Sequence, residues 1–200
     1  MNQNDVAIIS YLSMRRMIGI LGIALPVVVV AGGLIQNKIE IQPSISGYYY
    51  TNMRDFFIGI LCIVSIFLIS YKGYEKIDNL VGNLSGIFAL GMVLFPTEMC
   101  NGTSSNVGIF LLNDNLSGYI HLTFGFLFFI TLSFNSIFLF TKRQPGHFNE
   151  AKRKRNLIYR LCGSIMILAT LLIVVYTFFL RNTAFDKVYP VLILETIALL

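Results

Sequence analysis

Residues 17–35, MIGILGIALPVVVVAGGLI, run for 19 positions without a charged side chain. As a helix this stretch covers about 28 Å, close to the roughly 30 Å hydrocarbon core of a bilayer. Pro26 sits inside it as a kink position, and Gly19, Gly22, Gly32 and Gly33 let a neighbouring helix come close. The preceding stretch, residues 5–16, is mildly apolar, with Asp5 placed to cap it. It reads as a short helix lying on the membrane surface. A cleaved signal peptide fits worse: the apolar run is too long and no small-residue cleavage site follows it.

The pattern recurs along the chain. Further apolar stretches occupy 52–71, 78–95, 117–141, 157–180 and 188–200. Thr51 is a cap for the second, while Asp78 caps the third and Pro96 stops it. The last stretch has Pro190 in its first turn and only 13 residues, about 20 Å of helix. It is read as a truncated sixth span. Of the 200 residues 56% are hydrophobic and 12% charged, about half the charged share of a soluble domain. Mean hydropathy is +0.72. A soluble fold of this size has no way to hide that much apolar surface. The expected fold is all-α: one transmembrane domain over 1–200, a polytopic helical bundle of six spans.

The net charge of +5 does not point to nucleic acid, because of where the charge lies. Seven of the fifteen Lys and Arg fall in 142–160, between two apolar stretches. With the N-terminus in the cytoplasm, eleven basic residues lie on the inner side and four on the outer, which satisfies the positive-inside rule. The basic loop also suits contact with anionic lipid. No internal repeat relates the two halves, which argues against an inverted-repeat transporter. Cys62, Cys100 and Cys162 form no CxxC pair, so neither a disulfide framework nor a structural zinc site is expected.

Polar residues gather at one set of helix ends. Ser44, Ser46, Tyr48, Tyr49, Tyr50, Arg54 and Asp55 precede or open the second span. Thr97 and Glu98 follow the third, His121 lies one turn into the fourth, and Asp186 and Tyr189 precede the sixth. Glu195 is the sharpest signal, since a carboxyl group inside an apolar run must face the bundle and find a partner. His121 is the expected partner. The pair reads either as a proton-handling or binding unit, or as a hydrogen-bonded pair that fixes helix packing. The Tyr48–Tyr50 run reads as an interfacial aromatic belt. Asp55 suits a helix N-terminus, and Arg54 is placed for a lipid phosphate or for Glu98.

Within the spans, His121, Gly125, Phe128, Leu132 and Asn135 share one face of the fourth helix. Asn83 and Asn135 are expected to hydrogen-bond between helices, and Gly82 and Gly86 form a GxxxG packing pair. Two histidines, His121 and His147, are too few for a three-His zinc site. No GxSxG, HExxH or P-loop pattern occurs, and Asn101-Gly102-Thr103 is a short glycosylation match.

Four segments carry a resemblance: YLSMRRMIGILGIALP (11–26), SISGYYYTNMRDFFIGILC (44–62), SYKGYEKIDNLVGNLSGIFALGMVLFPT (70–97) and GYIHLTFGFLFFITL (118–132). Together they resemble a bacterial family of six-helix integral membrane proteins, a domain of unknown function. The resemblance spans nearly the whole chain and is most specific at 44–55. It implies the fold and a bacterial membrane location, read as the inner membrane, and it implies no reaction. In that family the last helix runs on past the position of Leu200 to a basic end, which is why the sixth span is expected to be truncated.

The functional expectation is a multi-pass membrane protein that binds a lipid or other amphipathic ligand at the outer helix ends. Glu195, His121, Asp55, Arg54, Glu98, Tyr49 and Ser46 are its candidate binding residues, with no catalytic residue, metal or cofactor assigned. The alternatives are an intramembrane lipid-modifying enzyme with Glu195 and His121 as acid and base, or a small proton-coupled transporter. Membrane lipids are the expected partners and nucleic acid is not. A protein partner or homo-oligomer stays open.

Overall fold

A computed structural model describes residues 3–35, 41–71, 73, 75–99, 106–142, 150–180 and 189–199. Cys100, the sequon at 101–103, His147 and Asp186 lie outside the described residues. Among the described residues the fold is all-α apart from one small hairpin. Its helices are α1 (Gln3–Ile35), α2 (Arg54–Ser70), α3 (Lys76–Leu94), α4 (Asp114–Phe134), α5 (Glu150–Val175) and α6 (Pro190–Leu199). A 3-10 turn, Ser46–Tyr50, leads into α2, and π turns at Asn135–Leu139 and Tyr176–Leu180 extend α4 and α5. Between α3 and α4, β1 (Asn106–Val107) pairs antiparallel with β2 (Leu112–Asn113). Among the described residues four helical stretches, Arg16–Ile35, Lys76–Leu94, Asp114–Leu139 and Lys152–Leu180, are long and apolar enough to cross a membrane.

Several boundaries differ from the sequence expectations, for local reasons. The surface helix and the first span are one continuous 33-residue helix that passes through Pro26. Nothing between Asp5 and Arg16 breaks a helix, and the proline removes only one backbone N–H. Thr51 does not cap α2, because its hydroxyl donates to the Tyr48 carbonyl at 2.8 Å and accepts the Met53 N–H at 3.1 Å. It closes the 3-10 turn instead. Asp78 is not the cap of α3 but the third helical residue, and Glu75 is the cap. The two side chains satisfy each other's backbone N–H groups in a capping box. Asn113 caps α4 by accepting the Asn115 N–H, so that helix starts earlier than expected.

The helices pack in sequence order, each against the next, and α6 touches both α5 and α1 to close the ring. The most apolar window of α3 is 44% buried, against 22% for α1, α4 and α5, so α3 is the best-covered of the four. The glycine pair explains part of that. A Cβ at Gly86 would lie 2.7 Å from the Ser65 carbonyl, and one at Gly82 would lie 3.1 Å from the Leu68 carbonyl. The pair therefore seats α3 on α2 within the chain, with Ser65 Oγ donating to the Gly86 carbonyl at 2.6 Å. Leu25, Val29, Phe57, Leu61, Met92 and Phe128 fill the interior. The outward faces carry exposed Ile20, Val27, Ile66, Leu80 and Leu168, apolar surface that water does not accommodate. Asn83 joins that exposed face and so makes no buried interhelical contact, whereas Asn135 is buried.

Candidate functional site

The ring surrounds a cavity, open on one side, to which all six helices contribute. Its walls include Leu25, Phe57, Met92, Phe128 and Ile173, and about 650 Å³ lies between its lining atoms with the open side included. Its polar lining is confined to Ser46, Thr170, His121 and Glu195. Thr170 turns its hydroxyl to the Met166 carbonyl at 2.7 Å, a bond within α5. The other three meet at one place.

Three elements far apart in sequence bring them there. Residues 41–50 cross the mouth of the ring and are tied to α6 by the Leu192 N–H donating to the Pro43 carbonyl at 3.0 Å. One turn into α6, Glu195 accepts the Ile45 N–H on Oε2 at 2.5 Å and the Ser46 hydroxyl on Oε1 at 3.3 Å. Ser46 Oγ also lies 3.0 Å from Nε2 of His121 on α4. The other imidazole nitrogen, Nδ1, faces the Phe95 carbonyl at 2.8 Å and the Met92 carbonyl at 3.1 Å, at the end of α3. Carbonyl oxygens only accept, so Nδ1 carries a proton and the ring orientation is set. Phe95 is held in turn, its ring stacked between Phe110 of the hairpin at 5.1 Å and Phe124 of α4 at 5.8 Å.

The expected partnership of Glu195 and His121 thus runs through Ser46. The shared face of α4 is present: His121, Gly125 and Phe128 line this cavity, and Leu132 lines a neighbouring apolar one. The other candidates sit around the site or away from it. Tyr48 and Tyr49 are buried rather than forming a surface belt, because the 3-10 turn folds them under the mouth of the ring. Burial also pushes the Tyr48 phenol above its ordinary range. Arg54 reaches back to Tyr49, donating to its hydroxyl at 2.8 Å with the guanidinium 4.5 Å from the ring centre. Asp55 is exposed in the first turn of α2 and is outside the cavity lining. Glu98 is half-buried beside Gly118 and also outside that lining.

Sequence reasoning missed the backbone partners, namely the Met92 and Phe95 carbonyls and the Ile45 N–H. Pro96 was a usable clue for the carbonyls, since a helix stopping there leaves its last carbonyls needing donors. Among the described residues no group of three His, Cys, Asp or Glu is placed to hold a metal ion.

No protein-family model matches the chain. The comparison with curated proteins gives no match, and neither does the comparison with solved structures. The class defined by fold and site is therefore a closed ring of apolar helices around a cavity with one polar end.

Proposed function

We propose that the chain is a multi-pass protein of a bacterial inner membrane that binds an amphipathic ligand in the central cavity. Six helices cross or enter the bilayer in this reading, α2 and the shorter α6 with the four longest, and the N-terminus lies in the cytoplasm. Lipid covers the exposed apolar faces. Support for the orientation comes from the excess of Lys and Arg on the side of the 142–160 loop. The observation that carries the ligand reading is the division of the cavity lining. Hydrogen-bonding groups cluster at Ser46, His121 and Glu195, while the remaining walls are almost wholly aliphatic and aromatic. A pocket of that kind takes a polar head at one end and a hydrocarbon portion in the rest. The membrane-protein family that the sequence resembles is consistent with this reading and names no ligand.

Gly125 offers the direct test. A Cβ there would lie 3.4 Å from the Met92 sulfur, an ordinary contact, so Leu at this position fills part of the cavity one helical turn from His121. Purified protein incubated with a bacterial polar-lipid extract is expected to keep a discrete adduct in native mass spectrometry, and Gly125→Leu is expected to lose it. An adduct equally occupied in Gly125→Leu, or none in the unaltered protein, overturns the reading. A second reading, an intramembrane lipid-modifying enzyme, is favoured by one observation: the hydrogen-bonded line from Glu195 to His121 has the parts of an acid–base pair.

A further inference from the structure

Three of the four polar groups lining the cavity, Glu195, Ser46 and His121, are joined by contacts whose proton count is restricted. His121 Nδ1 donates to carbonyls, so only Nε2 faces Ser46. Ser46 has one hydroxyl proton and two neighbours, Nε2 at 3.0 Å and Glu195 Oε1 at 3.3 Å. If His121 is neutral and Glu195 ionised, both neighbours are acceptors competing for that one proton. If His121 is charged and Glu195 protonated, both are donors and the serine's own proton has no acceptor in the line. A single additional proton satisfies every contact, and does so in two ways. On Glu195 it lets the carboxyl donate to Ser46 Oγ while Ser46 donates to Nε2. On His121 it lets Nε2–H donate to Ser46 Oγ while Ser46 donates to the carboxylate. Both arrangements have no net charge, which the mostly apolar lining around them favours. The Ile45 N–H bond to Oε2 survives in each. His121 and Glu195 are the titratable side chains of the cavity lining; α1, α2, α3 and α5 supply only uncharged ones.

We propose that Ser46 is a proton relay between α6 and α4, and that Glu195, Ser46 and His121 form one acid–base unit holding a single shared proton. The step balances without an outside reactant. The Oε1–H bond of Glu195 breaks as its proton passes to Ser46 Oγ, and the former Ser46 proton passes to Nε2. No electron changes owner. The unit thus presents the cavity with a proton donor and an acceptor joined through one hydroxyl, the arrangement required to exchange a proton with a protic headgroup such as an alcohol or an amine. The relay rests on hydrogen-bond geometry alone and is independent of any bound ligand. It is therefore tested on the ligand-free protein.

The first measurement is nitrogen-15 NMR of histidine-labelled protein in nanodiscs of phosphatidylglycerol and phosphatidylethanolamine, with His147→Gln removing the second histidine. The expected result is an imidazole protonated at Nδ1. A neutral ring protonated only at Nε2 overturns the proposal without any change to the site. The second is infrared spectroscopy of the protonated-carboxyl band, assigned by its loss in Glu195→Gln. His121→Gln is expected to move the pH midpoint of that band by about one unit or more. That displacement is expected to vanish in a Ser46→Ala background and to persist in Ser46→Thr, which restores a hydroxyl. An equal displacement in all three backgrounds means that the two groups interact through space and overturns the relay. No displacement in any of them overturns the shared proton.

Discussion

The two ends of the bundle handle polar groups in opposite ways. At the Ser46 end, His121 and Ser46 are held among apolar side chains and satisfied by carbonyls and by each other. At the opposite end the groups are charged, and two of the three reach solvent. Lys142 there bridges Glu75 at 2.8 Å and Asp78 at 3.0 Å. The Glu75 side chain is 62% exposed, so solvent competes for it, while Asp78 at 9% is enclosed by the turn that starts α3. The difference shows what each contact is worth. Removing a partner from a buried network strands another group without water, whereas removing one from an exposed pair returns both to solvent.

Substitutions that strand a buried group are the strongest way to break this comparison. Glu195→Ala deprives the Ile45 N–H of its acceptor, while the Ser46 hydroxyl keeps Nε2 of His121, and is expected to cost about 1–3 kcal/mol, read from unfolding in mixed micelles. Glu195→Gln keeps a carbonyl oxygen for Ile45 and is expected to lose less than half as much. Equal losses would show that the acceptor is not what matters there. An intermediate effect belongs to Asp78→Ala, which opens the capping box of α3 and removes one partner of Lys142. About 1 kcal/mol is expected by the same measurement.

The smallest effect is predicted for Lys142→Met, which is expected to leave stability near neutral pH within experimental scatter. Its signature is alkaline. The hydrogen bond to Glu75, with help from Asp78, raises the Lys142 pKa above the ordinary lysine value. The folded state therefore holds this proton more tightly than the unfolded chain. Its contribution is complete below the unfolded pKa and disappears as pH climbs through the folded one. A strongly alkaline decline in stability is expected in the unaltered protein and a flatter one in Lys142→Met. A loss at neutral pH as large as that of Glu195→Ala would erase the distinction between the two ends.

How much was legible in the sequence follows the same division. Four of the six apolar stretches became helices within about three residues of their expected bounds, while α1 and α5 begin 14 and seven residues earlier, because helix formation depends on neighbours three and four positions away and does not stop where the apolar run does. Glu195 and His121 stood out because a buried carboxyl and imidazole conflict with the runs around them, and they do lie at one place. Ser46 was one of seven candidate binding residues, with nothing in the sequence to place it between Glu195 and His121. The bond from Ile45 to Glu195 crosses 150 positions, and no local pattern encodes it. Tyr48 and Tyr49 misled for a related reason. Tyrosine beside a span suits both an interface and a buried turn, and the choice depends on whether the segment folds over the ring.

Sequence alone determined an all-helical chain too apolar for water, with a carboxyl and an imidazole that had to be accommodated inside it. Those properties are sums over local composition and periodicity. Closure of the ring decided the rest: α6 returns to α1, and residues 41–50 are drawn over the mouth. That placement put Ser46 between Glu195 and His121, and put the Phe95 carbonyl behind the imidazole. Hydrogen bonds act over about 3 Å, so which polar groups meet is set by the final packing of elements and not by their order along the chain.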